Sequence, residues 1–111
     1  MIRPALFDVV ELLVAIPGEN LPLGAQGTLV HQHNHDEFEV EFVDERGETI
    51  ALCPLNRQQF VVIWQAGTET AVSIPDQIAQ VVDLLPSTAR TEVLDFARFL
   101  STRQTSYSLA A

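Results

Sequence analysis

The fold is decided by residues 38–52, where apolar and acidic residues alternate before a turn. The stretch reads Phe38-Glu39-Val40-Glu41-Phe42-Val43-Asp44-Glu45-Arg46-Gly47-Glu48-Thr49-Ile50-Ala51-Leu52. Alternate residues from Phe38 to Phe42 point to one side of an extended chain, and the two glutamates between them point to the other. Asp44 to Gly47 has the composition of a turn, and Gly47 is free to take a positive φ. The stretch therefore predicts a β-hairpin with one buried face and one acidic face.

The hairpin supplies two of the five strands expected in the first half of the chain. The other three are expected at residues 6–14, 28–31 and 60–64. Pro54 to Arg57 resembles a single tight helical turn before the last strand. Five short strands with one long early loop and such a turn are typical of an SH3-like barrel, in which closure protects the sheet edges. We therefore predict an α+β protein with an SH3-like β-barrel over residues 1–64.

The second half is expected to be helical. Residues 65–74 are polar and predict a linker, and Ser73 is a candidate N-cap. Leu85-Pro86-Ser87 separates a helix over residues 75–84 from one that ends near residue 102. The first helix would present Ile78, Val81, Val82 and Leu85.

The two helices form a helical hairpin appendage over residues 75–103, followed by a frayed tail over residues 104–111. Leu94 and Phe99 lie on the two flanks of an apolar stripe on the second helix, which consists of Ala89, Val93, Phe96, Ala97 and Leu100. So small an appendage cannot bury them alone. We expect it to dock on the barrel, on a second copy or on another protein.

The charge balance restricts the class of partner. The 111 residues contain fifteen acidic side chains against six basic ones, all arginines, for a net charge of −9. Nucleic-acid binding depends on neutralising phosphates with Lys and Arg, so it is disfavoured. An acidic surface can steer a basic protein, or it can serve solubility alone.

The sequence also indicates a compartment. Cys53 is the only cysteine, and its apolar neighbours predict a buried side chain rather than a reactive thiol. No apolar run reaches the roughly 18 residues of a membrane span. The apolar N-terminal stretch is interrupted by Asp8 and Glu11, so no secretory signal is expected. We therefore expect a cytoplasmic protein that does not bind a membrane.

One segment could carry metal chemistry. On a continuing strand, His31, His33 and His35 would share one face and could bind zinc or a similar ion. Asn34 and Asp36 are turn residues, however, which favours a solvated loop. We therefore assign no metal site, and the three histidines remain the only candidates.

No catalytic pattern is found and no cofactor is expected. Gly24 and Gly27 precede a strand rather than a helix, so they do not form a phosphate-binding loop. Their expected role is positive-φ turn geometry. Glu39 and Glu41 alternate with core residues, which favours a solvated acidic face over an acid–base pair.

Residues 7–64 resemble a family of small bacterial and cyanobacterial proteins built on a domain of unknown function. The resemblance rests on three blocks, Asp8 to Leu12, Leu21 to Val30 and Phe38 to Leu52, which occur in this order. The chain departs from the family at His31 to Asp36, where the family varies. The resemblance implies no catalytic residues. It implies a role as the immunity or antitoxin partner of a toxin- or nuclease-like protein.

Residues 75–103 are similar to a short helical bacterial family found in antitoxin-like proteins of Vap-type systems. The similarity rests on Leu85-Pro86 followed by Val93-Leu94-Asp95-Phe96-Ala97-Arg98-Phe99-Leu100. It implies association through the helical hairpin and no chemistry.

Together these observations favour a non-enzymatic interaction module that binds a basic protein through its helices and acidic surface. The candidate interface residues are Leu94, Phe96, Phe99, Leu100 and Trp64. Trp64 is alternatively a core or helix-packing anchor. Two other hypotheses remain open, a homo-oligomeric structural module and a metal-binding protein that uses the three histidines.

Overall fold

The computed structural model describes the backbone of residues 1–110 and the side chains of residues 1–104. The elements are β1 (Val9–Leu12), β2 (Gln26–Gln32), β3 (Glu37–Val43), β4 (Thr49–Asn56), β5 (Phe60–Gln65), β6 (Thr70–Ala71), α1 (Ile74–Asp83) and α2 (Ser87–Ala110). The protein is α+β, as predicted. The chain divides into two compact units, Met1–Gln80 and Val81–Ala111. The frayed tail expected from residue 104 falls mostly on residues whose side chains lie outside the described part, and it stays a prediction.

The strands form one antiparallel sheet in the order β4-β3-β2-β1-β5-β6. Within the described residues no pairing joins β4 to β6, so the sheet is open and the predicted barrel is not confirmed. The prediction of five strands was also wrong. A sixth strand, β6, lies in the expected linker, where Thr70 pairs with Gln65 of β5. A strand of two residues is too short to produce a periodic signal in the sequence.

The β3–β4 hairpin is confirmed, and its turn is held by one aspartate. Gly47 donates its N–H to the Asp44 carbonyl at 3.0 Å and has a φ of 81°. The Asp44 carboxylate accepts the N–H groups of Arg46 and Glu48 at 2.8 and 3.0 Å. This Asx-type bonding replaces ladder bonds that the turn residues cannot form.

The tight helical turn predicted at Pro54 to Arg57 was misplaced, because it begins three residues later, at Arg57. β4 continues to Asn56, and a 3-10 turn follows at Arg57–Gln59. Asn56 caps this turn by accepting the Gln58 N–H at 3.0 Å. Because β4 is an edge strand, it tolerates Pro54, which the sequence pattern had placed in a turn.

The core lies on the inner side of the sheet. Its most buried side chains are Val10, Leu12, Leu29, Phe38, Val40, Phe42, Phe60 and Val62. Gly24 has the predicted positive φ of 90°. Gly27 does not, and the role predicted for it was wrong. A Cβ on Gly27 would lie 2.8 Å from both Phe42 Cε1 and Val40 Cγ1, so this glycine admits core side chains against β2.

α1 is attached to the sheet by a polar side chain. Ser73 caps the helix as predicted, accepting the Asp76 N–H at 3.2 Å. Gln80 is 3% exposed and bonds the backbone of Val62 twice, from Val62 N–H to Oε1 and from Nε2 to Val62 carbonyl, each at 2.8 Å. Ile78, one of the apolar residues that this helix was expected to present, is 50% exposed. The Gln80 amide thus makes the two hydrogen bonds that a strand next to β5 would make with Val62, at a point beyond the end of the short β6.

Candidate protein-interaction surfaces

The outward side of the β3–β4 hairpin exposes apolar side chains among carboxylates. Val43, Ile50 and Leu52 are 49%, 57% and 55% exposed. Glu41 stands directly across from Leu52 and accepts a 2.6 Å hydrogen bond from the Thr49 hydroxyl. Apolar patches bordered by polar groups are typical of protein contact surfaces. We name this surface the hairpin face and define it as Glu39, Glu41, Val43, Ile50 and Leu52.

The hairpin face ends at an unpaired strand edge. β4 is eight residues long and pairs with β3 alone among the strands of the described part. The outer backbone groups of an edge strand can pair with another chain. Pro54 lies within this edge and shortens the run of N–H groups available to such a strand.

The negative charge is concentrated in the unit that carries the hairpin face. Residues 1–80 contain twelve Asp and Glu against three Arg, whereas residues 81–111 contain three of each. The net charge of −9 therefore belongs to the first unit. Asp44, Glu45 and Glu48 in the hairpin turn extend the acidic surface beyond the strands. A surface of this charge favours long-range attraction of positively charged molecules.

The histidine segment borders the hairpin face. His31 lies across from Glu39 in the β2–β3 pair, and His33 Nε2 is 2.6 Å from Glu39 Oε1. The rings of His31 and His33 meet edge-on, with centroids 4.9 Å apart. His35 lies in the predicted polar loop, where the Asn34 side chain accepts two backbone N–H groups. Across the described residues, no three His, Cys, Asp or Glu side chains form a group that could hold a metal ion.

α2 exposes the four helical interface candidates. Leu94, Phe96, Phe99 and Leu100 are 49%, 62%, 55% and 38% exposed. The rings of Phe96 and Phe99 stack with centroids 6.3 Å apart, and the Arg103 guanidinium lies 5.8 Å from the Phe99 centroid. At 100° per residue, Phe96, Phe99 and Leu100 share one side of the helix, while Leu94 lies on another. We name the three that share a side the α2 face.

Trp64 is separate from the hairpin face. It is half-buried in β5, where its Cα neighbours are Val9 of β1 and Ala71 of β6. Two strands, β1 and β2, stand between it and the hairpin. The position suits a packing role within the sheet.

Two chemically versatile side chains have structural surroundings. Asp8 is 1% exposed, and its carboxylate accepts the N–H groups of Ala5 and Ala66, each at 2.9 Å. Cys53 is buried as predicted. Burial, followed by the charges of Glu19 and Glu39, raises the pKa of the Cys53 thiol above its ordinary value. A thiol with a raised pKa stays protonated and is a poor nucleophile.

The outward apolar residues of β4 are not among the interface residues predicted from the sequence. The signal was the unbroken apolar run Ile50-Ala51-Leu52-Cys53, because a strand that is apolar on successive residues is apolar on both sides. The alternation within β3 alone predicts an outer surface that is purely acidic. The structure shows that apolar and acidic residues share it.

The fold defines a small α+β protein built on an open antiparallel sheet. Residues 6–62 match the family model described as Domain of unknown function (DUF4926), and the chain belongs to this family. This confirms the family resemblance noted for residues 7–64. No curated protein and no solved structure matches the chain, and no finding supports the Vap-type helical resemblance. Over the described residues, neither helix combines the length and hydropathy that crossing a membrane requires.

Proposed function

We propose that the protein is a non-enzymatic interaction module that binds a basic protein through its hairpin face and blocks it, as antitoxin and immunity proteins do. The observation that carries the proposal is the exposure of Val43, Ile50 and Leu52 beside the carboxylates of Glu39 and Glu41. The apolar centre supplies burial, and the acidic surroundings select a basic partner and speed its approach.

The charge distribution supports assigning the two exposed apolar surfaces to different contacts. The sequence by itself favours one partner for both the helical residues and the acidic surface. The unit that contains the α2 face is balanced in charge, whereas the unit that contains the hairpin face carries the whole excess. Steering of a basic protein is therefore a property of the hairpin face.

An SH3-like topology and a cytoplasmic location are part of the proposal. The strand order, the long β1–β2 connection and the 3-10 turn before β5 support the first. The single, buried, unpaired Cys53 supports the second, because a reducing compartment suits such a residue.

Co-purification from the native host at physiological salt tests the proposal. A basic protein identified by mass spectrometry is then purified, and its binding is measured directly. Leu52→Arg is expected to weaken that binding about tenfold or more, because it adds a cation and removes apolar burial. Higher salt is expected to slow association, since the steering charges are screened.

Leu23→Arg is the matched control. Leu23 is 69% exposed in a loop of the same unit and lies outside the hairpin face. The same substitution there is expected to change binding by less than about twofold. Equal losses from both variants, or recovery of the wild type with no basic partner, would contradict the proposal.

A further inference from the structure

The α2 face carries one charge beyond each end of its apolar centre. An α-helix turns 100° per residue, which places Glu92 and Arg103 within the arc that Phe96, Phe99 and Leu100 occupy. Along the helix this side therefore presents a carboxylate, an apolar centre and a guanidinium, in that order.

The other charged side chains of α2 are engaged within the chain. Asp95 and Arg98 form an ion pair at 3.7 Å and lie about 90° and about 150° around α2 from the centre of the α2 face. Arg90 donates three hydrogen bonds of 2.9 to 3.0 Å to carbonyl groups at and just beyond the C-terminal end of α1. Glu92 and Arg103 are thus the charges that a second surface would meet on this side.

The order of these groups is self-complementary. In an antiparallel pair of α2 helices centred on residues 97–98, Glu92 of one copy faces Arg103 of the other, and Phe96 faces the second copy's Phe99. A twofold axis produces each of these contacts twice, as an isologous interface requires. A parallel pair would instead oppose carboxylate with carboxylate and guanidinium with guanidinium, which is unfavourable.

We propose that two copies of the chain associate by antiparallel contact of their α2 faces. The charge of this unit also favours a second copy of the chain as the partner of the α2 face. Residues 81–111 contain as many arginines as acidic residues, so two copies can meet there without the repulsion that residues 1–80 impose elsewhere. The contact uses the α2 face and none of the residues of the hairpin face, so it is an association distinct from the proposed partner binding.

Analytical ultracentrifugation of the full chain over about 1–500 µM tests this contact by mass action. The wild type is expected to shift from monomer to dimer. Glu92→Arg and Arg103→Glu are each expected to weaken association about tenfold or more, because each variant opposes like charges at both ends. An equimolar mixture of the two variants is expected to recover the dimer, since each now complements the other.

Arg98→Glu is the matched control, because it makes the same charge reversal as Arg103→Glu but lies about 150° around α2 from the centre of the α2 face. It is expected to leave the association constant within about threefold of the wild type. Circular dichroism checks that each variant keeps its helices. A wild type that stays monomeric throughout, or a mixture that fails to recover the dimer, overturns the inference. Neither result bears on the Leu52→Arg binding measurement, so the two proposals fail separately.

Discussion

Gly27 shows how a single position can be constrained by packing rather than by backbone torsion. The sequence suggests a turn glycine because Gly24 and Gly27 precede a strand. Gly24 has the positive φ of a turn, whereas Gly27 is buried in β2 beneath two core side chains. The difference depends on where Phe42 and Val40 lie in space, and local sequence does not contain that information.

Gly27→Ala is expected to lower the free energy of unfolding by about 1–3 kcal/mol, because the new Cβ overpacks the core against Phe42 and Val40. Urea denaturation followed by Trp64 fluorescence measures the change. Gly18→Ala is the control, since no atom lies within 4 Å of the Cβ it would add. That variant is expected to change stability by less than about 1 kcal/mol. Equal stability of the two variants would show that β2 has room for the methyl group.

At the scale of elements, the attachment of α1 to β5 depends on one amide. The apolar pattern of the helix draws attention to Ile78, which is exposed, whereas Gln80 is the buried residue of α1. An amide presents a donor and an acceptor side by side, as a backbone residue of a neighbouring strand does. Hydrophobic periodicity cannot reveal such a contact, because it scores a glutamine as polar and therefore outward.

Gln80→Leu is expected to destabilise the protein by about 2–4 kcal/mol, because it leaves the Val62 N–H and carbonyl buried without partners. Amide hydrogen exchange is expected to accelerate most at Val62. Gln77→Leu provides the comparison. Its Nε2 makes one partly buried bond of 3.0 Å to the Val72 carbonyl, and its loss is expected to cost about 0.5–1.5 kcal/mol. Similar losses from both variants would mean that Gln80 does not hold the strand edge.

At the scale of the whole molecule, the structural unit is longer than the family match. The family model ends at residue 62, whereas the first compact unit continues to Gln80. The extension contains β6 and most of α1, including the amide that bonds Val62. The smallest stable form of the sheet should therefore include the extension.

A chain that ends after Leu85 is expected to unfold cooperatively near the melting temperature of the full chain. One that ends after Ser73 is expected to melt more than about 10 °C lower, because it lacks Gln80 and the rest of α1. Differential scanning calorimetry measures both transitions. A shorter chain that melts with the longer one would show that residues 1–73 suffice for the sheet.

The sequence by itself determined the β-hairpin, the α+β class, the N-cap at Ser73 and the family, because these depend on alternation, turn residues and local order along the chain. The tertiary structure alone decided the open sheet edge, the packing role of Gly27 and the amide contact of Gln80. Each of these depends on residues far apart in sequence that pairing and packing bring together. The structure was also needed to assign the net charge of −9 to residues 1–80 and a balanced charge to residues 81–111, because the composition gives only the total for the whole chain.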